Sequence, residues 1–175
     1  VYDAVREAIR TGWRHIDCAA IYANEKAIGK AFKDAFSAGD VDRDDLWVTS
    51  KLWNNAHQKE DVVNALKQTL KDLQLEYLDL YLIHWPVSFK PDVVFPKTGS
   101  DFLSLEELPL SVTWEGMSAC VKEKLARHIG VSNFSIKQLQ TLINVSEHKP
   151  ELNQIELHPF LQQPGMFEFC RNNKI

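Results

Sequence analysis

The chain alternates between segments with helical spacing of apolar residues and short, mostly apolar runs. Within residues 60–75, Leu66, Leu70 and Leu73 fall on one helical face. The run LDLYLIH at 78–84 is typical of a strand that is buried on both faces. The same pattern predicts helices at 2–11, 24–36, 60–75, 111–126 and 135–146, with a last one starting at Pro164. Strands are predicted at 14–18, 46–53, 78–84, 128–132 and 152–158.

Three residues mark element boundaries. Gly12 is a plausible stop for the first helix, Ser135 a plausible N-cap, and Pro164 suits a first helical turn. Residues 85–110 are rich in proline and have no helical period, which predicts a long excursion between a strand and the next helix.

Polar side chains recur at the carboxyl end of every predicted strand. They are Asp17, Lys51, His84, the pair Ser132–Asn133, and Gln154. Alternating strands and helices predict a parallel sheet covered by helices. In a doubly wound sheet the polar residues would gather at one switch point, and neither GxGxxG nor a Walker A pattern is present. Polar groups on every strand favour an α/β fold of the parallel (β/α)8 TIM-barrel type, with its active site at that face.

Composition narrows the classes of partner. The chain has 175 residues, 45% of them hydrophobic, and a formal net charge of -4, so a nucleic-acid partner is not expected. No apolar run reaches the roughly 20 residues that span a bilayer, so no membrane partner is expected. Three widely spaced cysteines favour a reducing, cytoplasmic compartment, and no paired cysteine or histidine motif predicts a metal site. No internal linker interrupts residues 1–175, which predicts a single domain.

Five ordered segments resemble signature sequences of the aldo-keto reductases. They are GWRHIDCAAIYANEKAIGKAF, TSKLWN, LDLYLIHWP, IGVSNF and NQIELHP. The resemblance runs essentially from one end of the chain to the other and is closest to the branch that includes aldose and aldehyde reductases. It implies an enzyme that reduces a small aldehyde or ketone with a nicotinamide cofactor. NADP(H) is the common cofactor of the family, and NAD(H) is left as the alternative.

The resemblance carries a catalytic tetrad onto Asp17, Tyr22, Lys51 and His84. Each residue alone has an ordinary explanation: a turn aspartate, a packing tyrosine, a lysine that reaches the surface, a buried histidine. Together they supply what carbonyl reduction needs. Tyr22 would donate the proton as general acid, Lys51 would stabilise the phenolate that remains, Asp17 would offset the buried lysine charge, and His84 would orient the carbonyl.

The resemblance also implies contacts beyond the tetrad. Ser132, Asn133 and Gln154 match the residues that bind the nicotinamide carboxamide, and Asp17 also counts among the cofactor contacts. An interior barrel glutamine with a satisfied amide is the other interpretation of Gln154. Besides His84, the substrate pocket is predicted to include Trp53, Trp85 and Phe95. For Phe95, a position in a plain surface loop is an equally weighted alternative.

The five strands correspond to strands two to six of an eight-stranded family member. A five-stranded sheet that does not close would leave two unpaired edges, so we expect residues 1–175 to be an incomplete barrel. Whether these residues are active alone is not predicted. The runner-up function is a catalytically weak, cofactor-binding regulatory subunit of a membrane channel on the same fold. A structural lens-type protein is a third possibility that no residue specifically favours, and oligomeric state is not predicted.

Overall fold

The computed structural model describes all residues 1–175 as a curved parallel sheet with helices on its convex side. The helices are α1 (Tyr2–Arg10), α2 (Glu25–Ala38), α3 (Lys59–Leu73), α4 (Leu110–Lys122), α5 (Ile136–Val145) and α6 (Pro164–Asn173). The strands are β1 (His15–Asp17), β2 (Trp47–Leu52), β3 (Leu78–Ile83), β4 (Ser88–Phe89), β5 (Phe102–Leu103), β6 (Ala126–Ser132) and β7 (Asn153–Gln154).

Five strands form the main sheet in the order β1-β2-β3-β6-β7, and every neighbouring pair is parallel. A helix follows each strand, so the unit repeats as predicted and the sheet forms half of a (β/α)8 barrel. All six residues of β3 are buried, as the apolar run at 78–84 predicted. Parallel pairing sets the carboxyl ends of all five strands at one rim of the sheet.

The main core lies between the convex side of the sheet and the helices. Val48 and Leu52 of β2, together with Tyr81 and Ile83 of β3, pack there against apolar residues of the helices. Because side chains alternate across a strand, Lys51 and Leu82 project to the opposite, concave side. The alternation therefore separates the residues that stabilise the layers from those that line the barrel interior.

The predicted strand 152–158 is too long. Pairing with β6 covers only Asn153 and Gln154, because β6 itself ends at Ser132, opposite Gln154, and Asn133 then takes a left-handed φ of 63°. Residues 155–158 leave the ladder, and His158 forms only an isolated bridge with Leu161.

Two further expectations need correction. The predicted helix 111–126 ends at Lys122, because Lys124 adopts a left-handed φ of 60° and Ala126 already pairs with β3. The proline-rich excursion contains an antiparallel hairpin of β4 and β5.

Two predicted element boundaries are confirmed. Gly12, with φ of 101°, follows the first helix, and the Ser135 side chain caps α5 by accepting a hydrogen bond from the backbone N–H of Gln138.

A network of ion pairs connects the strands at the amino-terminal end of the sheet. Asp79, only 3% exposed, accepts hydrogen bonds from the Val48 N–H at 2.9 Å and from Arg43 at 2.8 Å. Arg127 of β6 adds a contact at 3.2 Å, and the two guanidinium groups lie 4.0 and 4.1 Å from the centroid of the Tyr77 ring. One buried carboxylate thus joins three neighbouring strands.

We expect Asp79→Ala to lower the free energy of unfolding by about 3 kcal/mol, because it leaves a buried N–H and two cationic groups without their shared partner. Asp44→Ala is the matched control, since the Asp44 side chain is 82% exposed and its loss should cost under about 1 kcal/mol. Urea denaturation of the full-length protein measures both. Equal losses would contradict the assignment of Asp79 as the centre of the network.

No helix of the chain combines the length and the apolar character that crossing a bilayer requires.

Candidate active site

An ion pair between a buried lysine and a half-exposed aspartate joins the carboxyl ends of β1 and β2. Lys51 is 2% exposed, and its Nζ donates to Asp17 Oδ1 at 2.6 Å and to the Cys18 carbonyl at 2.9 Å. An ammonium without such partners would be expensive to bury. Asp17 keeps 43% of its side chain exposed, so the pair stands at the rim of the concave face.

Tyr22 extends over this pair from the segment that follows β1. A short 3-10 turn at Ala20–Tyr22 ends in Ala23, whose left-handed φ of 53° redirects the chain into α2. Lys51 Nζ lies 5.8 Å from the centroid of the Tyr22 ring, and the tyrosine is 53% exposed. The ammonium therefore lies against an aromatic ring that is open to an incoming molecule.

His84 follows β3 and completes the group. Its ring centroid lies 5.9 Å from that of Tyr22, with the two planes nearly perpendicular. Burial, helped by the positive charge of Lys51 and opposed by Asp17, lowers the pKa of His84 to about 4. The imidazole is therefore neutral at pH 7, and its buried Nδ1 has no hydrogen-bond partner. The structure thus brings all four predicted tetrad residues together.

The ends of β6 and β7 bring a hydroxyl and two amides to the same rim. Asn133 has a left-handed φ of 63°, which asparagine tolerates better than most residues. Its Nδ2 donates to the His84 carbonyl and to Ser132 Oγ, both at 3.0 Å. Ser132 Oγ donates to the Gln154 carbonyl at 2.9 Å, and Gln154 Nε2 reaches Asp17 Oδ2 at 3.2 Å. The predicted cofactor contacts are therefore neighbours of one another and of the tetrad.

Aromatic side chains flank His84. Trp53 lies 5.4 Å and Trp85 6.4 Å from the imidazole centroid. Trp53 also donates its indole N–H to the Val94 carbonyl and packs 6.2 Å from Phe95, which is 66% exposed. Trp53 and Trp85 thus lie beside His84, Phe95 packs against Trp53, and the hydrogen bond from Trp53 connects the proline-rich segment to the end of β2.

A second buried histidine, His57, contacts the proline-rich segment, and sequence reasoning missed it. His57 is 1% exposed, its Nδ1 is hydrogen-bonded to Ser88 Oγ at 2.9 Å, and its Nε2 has no partner. Burial lowers the pKa of His57 to about 4. Because an unfolded histidine titrates near 6.5, the unfolded state binds more protons than the folded state between these values.

We expect stability to fall as the pH is lowered from about 6.5 to about 4, and His57 to account for roughly 3 kcal/mol of that loss. The comparison is between the full-length protein and its His57→Leu variant, which cannot take up the proton. Urea denaturation at pH 7 and pH 4.5 should give a clearly smaller pH dependence for the variant. An identical pH dependence would contradict the prediction.

The second residue that sequence reasoning missed is Glu25, the first residue of α2. An acidic residue in a first helical turn is usually a solvent-exposed partner of the helix dipole, so no local pattern indicates that Glu25 is buried. The structure buries Glu25 to 6% exposure between β2 and α3.

No group of three or more histidine, cysteine, aspartate or glutamate side chains is arranged to hold a metal ion.

A half-barrel of parallel strands with polar groups at every carboxyl end has the architecture of a (β/α)8 barrel. The sequence profile of the Aldo/keto reductase family matches residues 1–175. The chain therefore belongs to the aldo/keto reductase family, and hence to a family of oxidoreductases.

Named relatives match nearly the whole chain. It is 49% identical over 175 residues to an aldo/keto reductase of Synechocystis, covering 54% of that protein, and 43% identical over 172 residues to aldo-keto reductase family 1 member A1 of Xenopus tropicalis. Aldose reductase from Giardia lamblia superposes with a TM-score of 0.94 at 43% identity, covering 99% of this chain and 58% of that one. An aldo-keto reductase of Bombyx mori, crystallised in complex with NADP, gives 0.89 at 41%, covering 99% and 53%. The chain spans about half the length of the curated relatives that it matches.

Proposed function

We propose that the protein reduces an aldehyde or ketone to an alcohol by hydride transfer from a nicotinamide cofactor. The observation that carries this proposal is the Asp17–Lys51 ion pair, with its lysine buried, beside the open ring of Tyr22 and the neutral imidazole of His84. One proton donor, one cation and one neutral hydrogen-bond donor are the groups that a developing alkoxide needs.

Tyr22 acts as the general acid. Its proton moves to the carbonyl oxygen as the carbonyl carbon accepts the hydride, and a phenolate remains on the enzyme. Lys51 lies close enough to stabilise this negative charge, while Asp17 keeps the ammonium in place. A proton from solvent returns Tyr22 to its starting state, which its exposure permits.

His84 orients the carbonyl. Because its imidazole is neutral, it carries one N–H and can donate a hydrogen bond without bringing in a second full charge beside Lys51. Trp53, Trp85 and Phe95 form the apolar side of the substrate pocket next to it. We infer a small carbonyl compound with an apolar substituent as substrate.

The residues at the ends of β6 and β7 fit a nicotinamide carboxamide, which both donates and accepts. Asn133 uses both Nδ2 hydrogens within the chain, which leaves its Oδ1 to accept from the carboxamide. Gln154 gives one N–H to Asp17 and retains a second, so it can donate to the carboxamide oxygen. Ser132 fixes the backbone of Gln154, and Asp17 lies next to the same site.

The cofactor supplies the hydride when it is bound, and we propose NADP(H) for this role, with NAD(H) as the alternative. The Bombyx mori relative in complex with NADP supports this choice. The three cysteines are unpaired, Cys18 and Cys120 being buried, which supports our proposal of a cytoplasmic location.

The test is NADPH oxidation by the full-length gene product, followed by absorbance, with a generic aromatic aldehyde. We expect aldehyde-dependent loss of NADPH. Tight NADPH binding with no turnover across a panel of aldehydes and ketones would contradict the proposal and favour the cofactor-binding regulatory subunit.

A further inference from the structure

The buried carboxylate of Glu25 has no part in the chemistry described above. Both of its oxygens are occupied: Ser50 Oγ donates to Oε1 at 2.6 Å, and Thr69 Oγ1 donates to Oε2 at 3.0 Å. Both donors are themselves buried, at 0% and 2% exposure. Burial raises the pKa of Glu25, while the two hydroxyl groups oppose that shift.

The position of Glu25 connects it to Tyr22. It lies three residues after the tyrosine, directly beyond the left-handed turn at Ala23, and it begins α2. Its partner Ser50 neighbours Lys51 on β2. The carboxylate therefore links the segment that carries the proton donor to the strand that carries the ammonium.

The same segment is also fixed at its upstream end. Lys51 Nζ donates to the Cys18 carbonyl at 2.9 Å, and the Cys18 N–H donates to the Thr49 carbonyl at 2.8 Å. The segment 18–25 is thus attached to β2 at both ends. Cys18 is held by Lys51 on the concave side of the strand, and Glu25 is held by Ser50 on the helix side. Tyr22 lies between them, half exposed.

We propose that Glu25 is a positioning residue that holds Tyr22 at its distance from Lys51, an inference that rests on the proposed function. Stability alone does not explain a carboxylate here, because a protein with an apolar side chain of similar volume in place of a buried charged group is often equally stable. A carboxylate provides direction instead: its short hydrogen bond from Ser50 on β2 fixes where α2 begins, and hence where the turn before α2 places Tyr22.

The experiment compares Glu25→Leu with Glu25→Gln in the full-length protein. Leucine fills the space without either hydrogen bond, whereas glutamine can accept from Ser50 and donate to Thr69. We expect Glu25→Leu to lower kcat about 10- to 100-fold with KM changed less than about threefold, because a small misplacement of a reacting group is expensive. Glu25→Gln should recover kcat to within about threefold. Thr69→Val, which removes only the bond to α3, should also stay within about threefold.

A second measurement does not depend on turnover. In protein labelled with 3-fluorotyrosine, the 19F resonance of Tyr22, assigned by its absence in Tyr22→Phe, should match the wild type in Glu25→Gln and be shifted or broadened in Glu25→Leu. If the wild type turned over no carbonyl compound while this pattern held, the proposed function would fail and the positioning role would stand. A Glu25→Leu variant with an unchanged resonance would overturn the inference. So would a loss of kcat in Glu25→Leu that glutamine does not recover.

Discussion

Replacing Tyr22 with phenylalanine is expected to lower kcat by about 10²- to 10⁴-fold, the usual contribution of a positioned general acid. The substitution removes one oxygen and keeps the ring that faces Lys51 and His84. NADPH affinity, measured by quenching of tryptophan fluorescence, should change little, because no proposed cofactor contact is lost.

Tyr2→Phe is the matched control for Tyr22→Phe. Tyr2 of α1 donates its hydroxyl proton to Asp34 of α2 and takes no part in the tetrad contacts, so loss of this hydroxyl should leave kcat within about twofold. A Tyr22→Phe enzyme that kept more than a tenth of the wild-type kcat would show that the proton comes from another group.

The second large effect is expected for Lys51→Met. At the 5.8 Å that separates Nζ from the Tyr22 ring centroid, an ammonium stabilises a full negative charge by about 3 kcal/mol at an effective dielectric constant of about 20. Asp17 offsets part of this term, but Lys51 also anchors the Cys18 carbonyl and hence the start of the Tyr22 segment. We therefore expect kcat to fall by about 10²-fold.

Lys59→Met is the control for the lysine substitution. Lys59 pairs with Glu115 on the outer helices, where its side chain is 49% exposed, and this pair should contribute little. Steady-state kinetics of both variants with one aldehyde decide the matter. Losses of equal size in the two variants would contradict the role of Lys51, since they would reflect a general effect of removing a lysine.

The predictable part of the site consists of residues whose position follows from strand register. Asp17, Lys51, His84 and Gln154 come at the carboxyl ends of strands, and parallel pairing brings those ends to one rim. Their roles depended on the family resemblance, because each residue alone has an ordinary structural explanation. The alternation of side chains that places Val48 on the helix side and Lys51 on the concave side follows from the strand geometry itself.

The remaining features depend on contacts between segments that are distant in sequence. The burial of Glu25 requires Ser50 and Thr69 to converge from different elements, and the burial of His57 requires Ser88 of a hairpin that no periodicity marked. The strand at 152–158 was overextended for the same reason: its apolar pattern continues, but its pairing with β6 ends at Gln154. Local pattern predicts which element forms, and tertiary pairing decides where it ends.

The central claim is that this site directs a hydride to a carbonyl carbon. NADPH carrying deuterium at the transferable C4 position should be incubated with the full-length protein and an aromatic aldehyde, and the alcohol analysed by mass spectrometry and NMR. Our account predicts one deuterium on the carbinol carbon of each alcohol formed, and almost no alcohol from the Tyr22→Phe enzyme. Oxidation of NADPH without labelled alcohol, or tight binding of NADPH with no alcohol at all, would contradict it.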